Sequence, residues 1–270
     1  MVTPKFSKPP VAELALGVQF QPLSSFNSIQ AAAWRDRIKT ELPKFEEHPE
    51  LPDVIEDADL EQTKVRMQLI AGAAPRRYWF VDANETELIQ IQRTRFVYNW
   101  RKRADGDQYP TYDVLREKVA RQLKSFIEFA AAEGLGDFVP GTCEVTYVNH
   151  IAGSGVWTAH GQAAKVFSGL SGRRTGDFLP PAESVGFSET YRIPVEGTDK
   201  VGRLRVQVDP SFLILDKAPI FRMSLNARVA AKTADRQGVV DALDIGHQWA
   251  TCGFAALTTP EMHSAWGKKT

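Results

Sequence analysis

The residues best suited to metal binding or catalysis are five histidines and two cysteines, which are scattered along the chain. The histidines are His48, His150, His160, His247 and His263. No two of them stand at the spacing of metal ligands, and neither His-Glu-x-x-His nor Cys-x-x-Cys occurs. The cysteines, Cys143 and Cys252, lie far apart and are typical of small buried apolar residues. The sequence therefore predicts no metal and no cofactor.

Glycine-containing segments supply the remaining candidates for a catalytic or phosphate-binding motif, and each is incomplete. Gly153-Ser154-Gly155 follows a predicted strand, but it lacks both a third glycine and a Gly-Lys-Ser/Thr sequence. The nucleophile motif Gly-x-Ser-x-Gly does not occur. Many of the acidic residues are concentrated between positions 46 and 61, where we expect solvent exposure rather than a facing catalytic pair. These patterns favour a non-enzymatic protein, with an enzyme as the alternative.

A small-molecule cavity is the best use we can assign to a few polar residues on predicted inner surfaces. Asn149 and His150 end a predicted strand just before the Gly153-Ser154-Gly155 turn. His247 lies on the inner face of the last predicted helix, close to Trp249, where a satisfied core histidine is the simpler interpretation. We identify Asn149, His150, His247 and Trp249 as the residues that would line such a cavity.

Basic residues cluster near the ends or on one face of a predicted sheet. They are Arg76, Arg77, Arg93, Arg95, Arg101, Lys102 and Arg103. One interpretation is a solvated sheet edge, where positive charge prevents edge-to-edge pairing. Another is a binding surface for a polyanion or an acidic protein. A third is that the acidic segment over residues 45–61 folds over these residues and neutralises them.

The basic residues lie on strands that two-residue alternation predicts. Residues 87–92 and 95–101 alternate apolar with polar, and Arg93-Thr94 between them predicts a tight turn. Residues 77–81 predict a third antiparallel strand. Phe96, Tyr98 and Trp100 share one face of their strand, where burial of about 150–250 Å² each favours a sheet core. A stacking platform for nucleic-acid bases is the alternative.

The rest of the chain predicts further strands and helices around this sheet. The predicted strands cover residues 11–20, 63–70, 143–151, 185–194, 201–208 and 220–231. The predicted helices cover residues 26–42, 109–133, 156–170 and 237–257, and the predicted loops cover 45–61 and 172–181.

Listed in order, these elements repeat: strand, helix, three or four strands and helix occur twice. We predict an α+β fold in which residues 1–270 form one unit with pseudo-repeat halves at about 10–138 and 141–266. This order resembles the tandem halves of TATA-binding-protein-like folds, which imply antiparallel sheet with helices packed on one face. The alternative is a single helix-grip domain, in which a sheet wraps a long terminal helix around a cavity.

Composition limits the classes of partner. The chain has 270 residues with 33 basic and 33 acidic side chains, so its net charge is zero and no whole-molecule attraction to nucleic acid or acidic membranes is expected. No apolar run reaches the roughly 18 residues of a membrane span, and the first ten residues predict no signal peptide. We expect a cytoplasmic protein that does not bind membranes.

Several motifs resemble a sporadically distributed family of uncharacterised bacterial and archaeal proteins of about this length. The motifs are Pro9-Pro10-Val11-Ala12-Glu13, Gly17-Val18-Gln19-Phe20, Arg77-Tyr78-Trp79-Phe80, Leu88-Ile89-Gln90-Ile91-Gln92-Arg93 with Phe96 and Asn99-Trp100-Arg101, Tyr109-Pro110 and Tyr147-Val148-Asn149. The resemblance covers about the first 150 residues and implies no known activity, cofactor or substrate. A patchy distribution would fit an accessory or defence-linked role.

Together these observations predict a non-enzymatic interaction or regulatory module. We expect it to bind a protein, or alternatively a nucleic acid, through the basic residues of its sheet. The alternative from another class is a small-ligand-binding protein or enzyme with a cavity between the sheet and the C-terminal helix. The sequence does not define an oligomeric state.

Overall fold

The computed structural model describes residues 3–54, 56, 75–104, 106–170, 178–195, 197, 201–214 and 216–269. The strands within these ranges are β1 (Lys5–Phe6), β2 (Val11–Phe20), β3 (Lys44–Pro49), β4 (Arg76–Val81), β5 (Glu87–Gln92), β6 (Arg95–Arg101), β7 (Pro140–Ala152), β8 (Phe187–Pro194), β9 (Val201–Phe212), β10 (Pro219–Ala230) and β11 (Lys268–Lys269). The helices are α1 (Ser28–Ile38), α2 (Tyr112–Ala132), α3 (Arg236–Leu257) and α4 (Pro260–Ala265).

One antiparallel sheet of nine strands organises the described part of the chain. Its strand order is β3-β4-β5-β6-β2-β7-β10-β9-β8. The first half of the chain supplies the strands on one side and the second half those on the other, and β2 pairs with β7 where they meet. The class is therefore α+β with antiparallel sheet, as the sequence predicts.

The two faces of the sheet differ because each strand alternates apolar with polar residues. In β2, Leu14, Leu16 and Val18 are almost completely buried on one face. The helices pack there: α3 contacts β7 and β10, and α2 contacts β6. We call this side the helix face and the opposite, largely polar side the open face.

Phe96, Tyr98 and Trp100 point to the helix face, where each is at most 4% exposed. Phe96 packs against Phe126 of α2, with ring centroids 5.6 Å apart. The prediction of a sheet core is confirmed, and the alternative of a base-stacking platform is wrong because no ring face is open to solvent.

Two predicted elements take another form. Residues 45–49, predicted to be loop, belong to the edge strand β3, because Phe45 packs on Phe80 of β4 while the acidic side chains stay at the surface. The helix predicted over 156–170 is replaced by two short 3-10 segments, His160–Lys165 and Ser168–Leu170. The strand predicted over 63–70 lies outside the described residues, as does part of the loop predicted over 172–181.

A short sheet joins the two ends of the described chain. β1 pairs with β11, and the backbone nitrogen of Ser7 donates to the carbonyl oxygen of Gly267 at 3.0 Å. Phe6 packs edge-on against Phe254 of α3 and against Trp266. These contacts place the N-terminal segment across the helix face, where it forms one wall of the cleft described next.

Candidate functional site

A cleft of about 1120 Å³ opens on the helix face. The start of α2 and the middle of α3 form two walls, the N-terminal segment forms a third, and β7 and β10 form the floor. The apolar part of its surface comes from Phe6, Pro9, Val11, Leu225, Ile245, Ala250 and Phe254. The polar part is concentrated at the N-terminal end of α2 and opposite it on α3 and β7.

Three aromatic side chains form a hydrogen-bonded chain inside the cleft. The hydroxyl of Tyr109 lies 3.0 Å from the hydroxyl of Tyr147. The Tyr147 hydroxyl lies 2.9 Å from Nδ1 of His247. Tyr147 belongs to β7, His247 to α3, and Tyr109 to the segment just before α2, so these hydrogen bonds connect three separate parts of the fold.

A second group at the cleft centres on Asp244, one turn before His247 on α3. Nε and Nη2 of Arg116 reach the two Asp244 oxygens at 2.6 and 2.7 Å, and the Tyr112 hydroxyl donates to the same carboxylate at 2.8 Å. The Tyr112 ring also stacks on His247, with centroids 3.8 Å apart and planes 3° apart. These contacts fix the orientation of the imidazole ring.

Burial sets the charge state of these groups. It lowers the pKa of His247 to about 4, although Asp113 and Asp244 act in the opposite direction. Burial likewise raises the pKa of Tyr109, Tyr112 and Tyr147 above the usual tyrosine value. At neutral pH the interior of the cleft therefore presents an uncharged imidazole and uncharged phenols.

Two of the four predicted cavity residues line this cleft. Asn149 and His247 both do, and Asn149 is 3% exposed and donates to the carbonyl oxygen of Met223 at 3.3 Å. His150 is exposed on the open face, because it follows Asn149 in the same strand. Trp249 packs against the core from α3 and is not among the lining residues.

The three tyrosines were not identified from the sequence. Their residue type is typical of buried sheet and helix positions, so a core role was the simpler assignment. A helical signal was available: Tyr112 and Arg116 stand four residues apart on α2, and Asp244 and His247 stand three apart on α3, so each pair shares a helix face.

The basic residues do not form one surface. Arg76, Arg77, Arg93 and Arg95 lie at one end of strands β4 to β6, whereas Arg101, Lys102 and Arg103 lie at or beyond the other end.

Several of these basic residues form ion pairs or hydrogen bonds with other residues of the same chain. Arg93 pairs with Glu50, and Arg103 pairs with Glu85. Arg101 donates to the carbonyl oxygen of Glu85. Arg76, Lys102 and Arg103 are exposed.

Part of the predicted acidic segment crosses the open face. Glu56 bonds to Arg203 at 2.9 Å and to Arg205 at 2.6 and 2.8 Å, and it lies 3.5 Å from Arg228. The Glu56 and Arg203 side chains are only 6% and 2% exposed. Glu56 thus neutralises arginines of β9 and β10, whereas the interpretation from the sequence concerned the basic residues of β4 to β6, of which Arg93 pairs with Glu50.

Comparisons of the chain with protein-family models, curated proteins and solved structures found no match. Within the described ranges, no helix is both long and apolar enough to cross a membrane. In the same ranges, no three histidine, cysteine, aspartate or glutamate side chains come close enough together to hold a metal ion.

Proposed function

We propose that the chain binds a small, uncharged and partly apolar molecule in the helix-face cleft. The observation that carries the proposal is the hydrogen-bonded chain Tyr109–Tyr147–His247 inside a cleft of about 1120 Å³. Ligand pockets typically measure about 300–1,000 Å³ and combine apolar walls with a few polar groups. The cleft has that combination, and its volume lies slightly above that size range.

The polar groups of the cleft favour a neutral ligand. Arg116 and Asp244 pair with each other, so neither requires a counter-charge from a ligand. His247 is neutral and the tyrosine hydroxyls keep their protons, so the Tyr109–Tyr147–His247 group offers hydrogen bonds without charge. Phe6 and Phe254 supply apolar surface for the remainder of the molecule.

Binding fits these residues better than acid–base catalysis. A general acid or base works best when its pKa lies near the working pH. The pKa of His247 is about 4, and the pKa of Tyr147 is raised well above the usual tyrosine value. Both groups therefore keep one protonation state around neutral pH, which suits recognition.

The test is a fragment screen of the full chain by ligand-observed NMR, followed by titration of the best fragments. Thr251→Trp places an indole in the cleft from the α3 wall, so we expect it to abolish binding. Tyr147→Phe removes one hydroxyl, and we expect about 3- to 10-fold weaker binding, because one hydrogen bond contributes about 0.5–1.5 kcal/mol.

Tyr191→Phe is the matched control, because Tyr191 lies on the edge strand β8 away from the cleft. It should leave fragment affinity unchanged, and circular dichroism should show all variants folded. Fragments that bind Thr251→Trp as well as the unmodified chain would refute the cleft as the binding site.

Binding of a protein or nucleic-acid partner through basic residues stays a second prediction. This prediction is supported by the exposure of Arg76 at one end of the sheet and of Lys102 and Arg103 at the other. The binding surface would therefore be two small patches, the first at Arg76 and the second at Lys102 and Arg103. Retention on immobilised RNA that is unchanged in a Lys102→Glu, Arg103→Glu variant would count against the second patch.

We also propose that the sheet consists of tandem halves, as in TATA-binding-protein-like folds. The strand order supports this: β2 and β7 lie side by side, β6 flanks β2, and β10 flanks β7. The helix-grip alternative is supported by the packing of the 22-residue α3 on β7, β9 and β10. Superposition of residues 10–138 on 141–266 in a crystal structure would decide: tandem halves require β2 to overlie β7 and α2 to overlie α3.

A further inference from the structure

A second, smaller pocket lies on the open face, on the opposite side of the sheet from the cleft. It encloses about 180 Å³ above the central strands, with Ala15 and Gly17 in its floor and Leu51 and Val54 in its roof. Its polar lining includes Arg77, Gln90, Arg95, Asn99, Glu144 and Arg228. The pocket therefore contains three guanidinium groups and one carboxylate among its described lining residues.

Two glutamine side chains hold the roof in place. The Gln19 side chain accepts from the Val54 nitrogen at 3.0 Å and donates to its carbonyl oxygen at 3.1 Å. Gln92 does the same with Leu51, at 3.0 and 2.8 Å. Each amide thus reproduces the pair of hydrogen bonds that a neighbouring strand would make, so the roof is a built part of the fold.

Two of the three guanidinium groups bond to neutral acceptors. Arg77 donates to the side-chain oxygen of Gln90 at 3.0 Å, and its Nε is buried without a hydrogen-bond acceptor among the described residues. Arg95 donates to the side-chain oxygen of Gln19 at 2.8 Å and to the carbonyl oxygen of Pro52 at 3.0 Å. Amide and carbonyl oxygens satisfy hydrogen bonds but do not neutralise a positive charge.

The acidic residues in or beside the pocket bond to partners other than Arg77 and Arg95. Glu144 bonds to Nε of Arg228 at 2.9 Å, and Asp53 accepts from the Thr94 hydroxyl at 2.7 Å. Burial lowers the pKa of Arg95, and Glu144, Asp53 and Glu50 only partly oppose that shift. Burial also lowers the pKa of Arg77, and the charge of Arg95 adds to the effect. The pocket is therefore a place where added negative charge is stabilised.

We propose that this open-face pocket binds a small anion through Arg77 and Arg95, with Arg228 and the amide of Asn99 at its sides. The shared chemistry of the ligand is a compact oxyanion, either a carboxylate or a phosphate group. Planar guanidinium groups bind both with paired, charge-assisted hydrogen bonds. The enclosed volume suits one such group with a short substituent.

The experiment measures thermal unfolding of the full chain with increasing inorganic phosphate or acetate, at constant ionic strength set with chloride. An anion that binds only the folded state raises the melting temperature with its concentration. We expect saturable stabilisation by phosphate or by acetate beyond that of chloride. The anion with the lower half-saturating concentration distinguishes the two sources of the oxyanion.

Arg77→Gln and Arg95→Gln remove one guanidinium each, and we expect each to raise the half-saturating concentration by about tenfold or more. Arg222→Gln is the matched control, because Arg222 is exposed on the open face and does not line the pocket. Its half-saturating concentration should stay within about twofold of the unmodified value.

A variant that keeps all the arginines covers the case in which a glutamine variant does not fold. Ala15→Met extends a flexible apolar side chain from the floor into the pocket, and we expect it to abolish anion stabilisation with the fold intact by circular dichroism. Stabilisation no greater than that by chloride, or equal stabilisation of Ala15→Met and the unmodified chain, would overturn the proposal. A negative result for anion binding leaves the proposed ligand binding in the helix-face cleft unaffected, because the two sites lie on opposite faces of the sheet.

Discussion

His247 projects from α3 and is held against α2 and β7 by two side-chain contacts. Its ring stacks on Tyr112, and its Nδ1 lies 2.9 Å from the Tyr147 hydroxyl. Tyr112 is in turn fixed by Asp244. This arrangement stabilises the neutral ring, because burial disfavours the imidazolium form more than the nearby carboxylates favour it.

The lowered pKa of His247 predicts acid sensitivity in a defined window. The unfolded chain binds a proton at the ordinary value of 6.5, whereas the folded chain does so only at about 4. Stability is therefore fully present above 6.5 and is lost as the pH falls from 6.5 toward 4. We expect a loss of up to about 3 kcal/mol in the free energy of unfolding across this range.

Urea unfolding at several pH values within that window checks this expectation. The free energy of unfolding of His247→Gln should depend less steeply on pH than that of the unmodified chain. Burial also lowers the pKa of His150 and His263, so part of the slope should persist in His247→Gln. An unchanged slope in His247→Gln would show that the ring titrates as in the unfolded chain.

The sequence predicted single residues of the cleft but not their partners. His247 was identifiable because a histidine on an apolar helix face needs a polar neighbour, and Asn149 because it ends an apolar strand. Tyr109 and Tyr112 come from a different part of the chain, about 135 residues before His247. Their meeting depends on the packing of α2 against α3, which residue spacing within one helix does not specify.

At the scale of elements, the segment over residues 50–54 with Glu56 is a covering layer on the open face. Its backbone is held by Gln19 and Gln92, and the Glu56 carboxylate lies against three arginines of β9 and β10. Burial alone would raise the pKa of Glu56, but hydrogen bonds from Arg205 and Arg203 outweigh it and hold that pKa below the ordinary value of 4.5. The carboxylate is therefore charged in the folded chain.

Replacing Glu56 by glutamine should destabilise the chain by about 3 kcal/mol at neutral pH. The change leaves the charges of buried Arg203 and partly buried Arg228 with one carboxylate fewer, and breaking a buried ion pair from one side costs about 3–5 kcal/mol. Urea unfolding measures the difference. The matched control is Glu41→Gln, whose partner Arg121 is exposed, so its pair should contribute about 0–1 kcal/mol.

The ion pairs of Glu56 also predict how the effect of Glu56→Gln depends on pH. Because the pKa of Glu56 is lowered, its stabilising effect is present above 4.5 and disappears as the pH falls through the folded value. The cost of Glu56→Gln should therefore shrink below pH 4.5. If Glu56→Gln lowers the free energy of unfolding equally at neutral pH and below pH 4.5, the loss comes from packing rather than from the charge.

Strand and helix positions are largely predictable from the sequence, and β3 shows why one strand is not. Two-residue alternation predicts β5, β6 and β10, and apolar spacing predicts α2 and α3. β3 was assigned to a loop because its sequence is acidic and contains proline, although pairing with β4 and burial of Phe45 outweigh both signals. A pattern within the segment cannot reveal a partner strand about 30 residues later.

At the scale of the whole molecule, the junction between the halves is itself part of the core. β2 pairs with β7 over most of its length, and Leu16 faces Tyr98 on one side and Val145 on the other. Across the helix layer, Arg116 and Tyr112 of the first half bind Asp244 of the second. Neither half can bury its own apolar surface at the junction without the other.

This continuity predicts that both halves unfold together. Tryptophan reporters exist on each side: Trp34 is buried in the first half and Trp157 in the second. In single-tryptophan variants that retain one or the other, guanidinium unfolding should give coincident midpoints.

Leu16→Ala removes buried volume beside the junction and should lower the free energy of unfolding by about 2–5 kcal/mol. If the halves form one cooperative unit, Leu16→Ala lowers both midpoints equally, although Leu16 belongs only to the first half. A Trp157 midpoint that stays in place while that of Trp34 falls would divide the chain into two separate folding units.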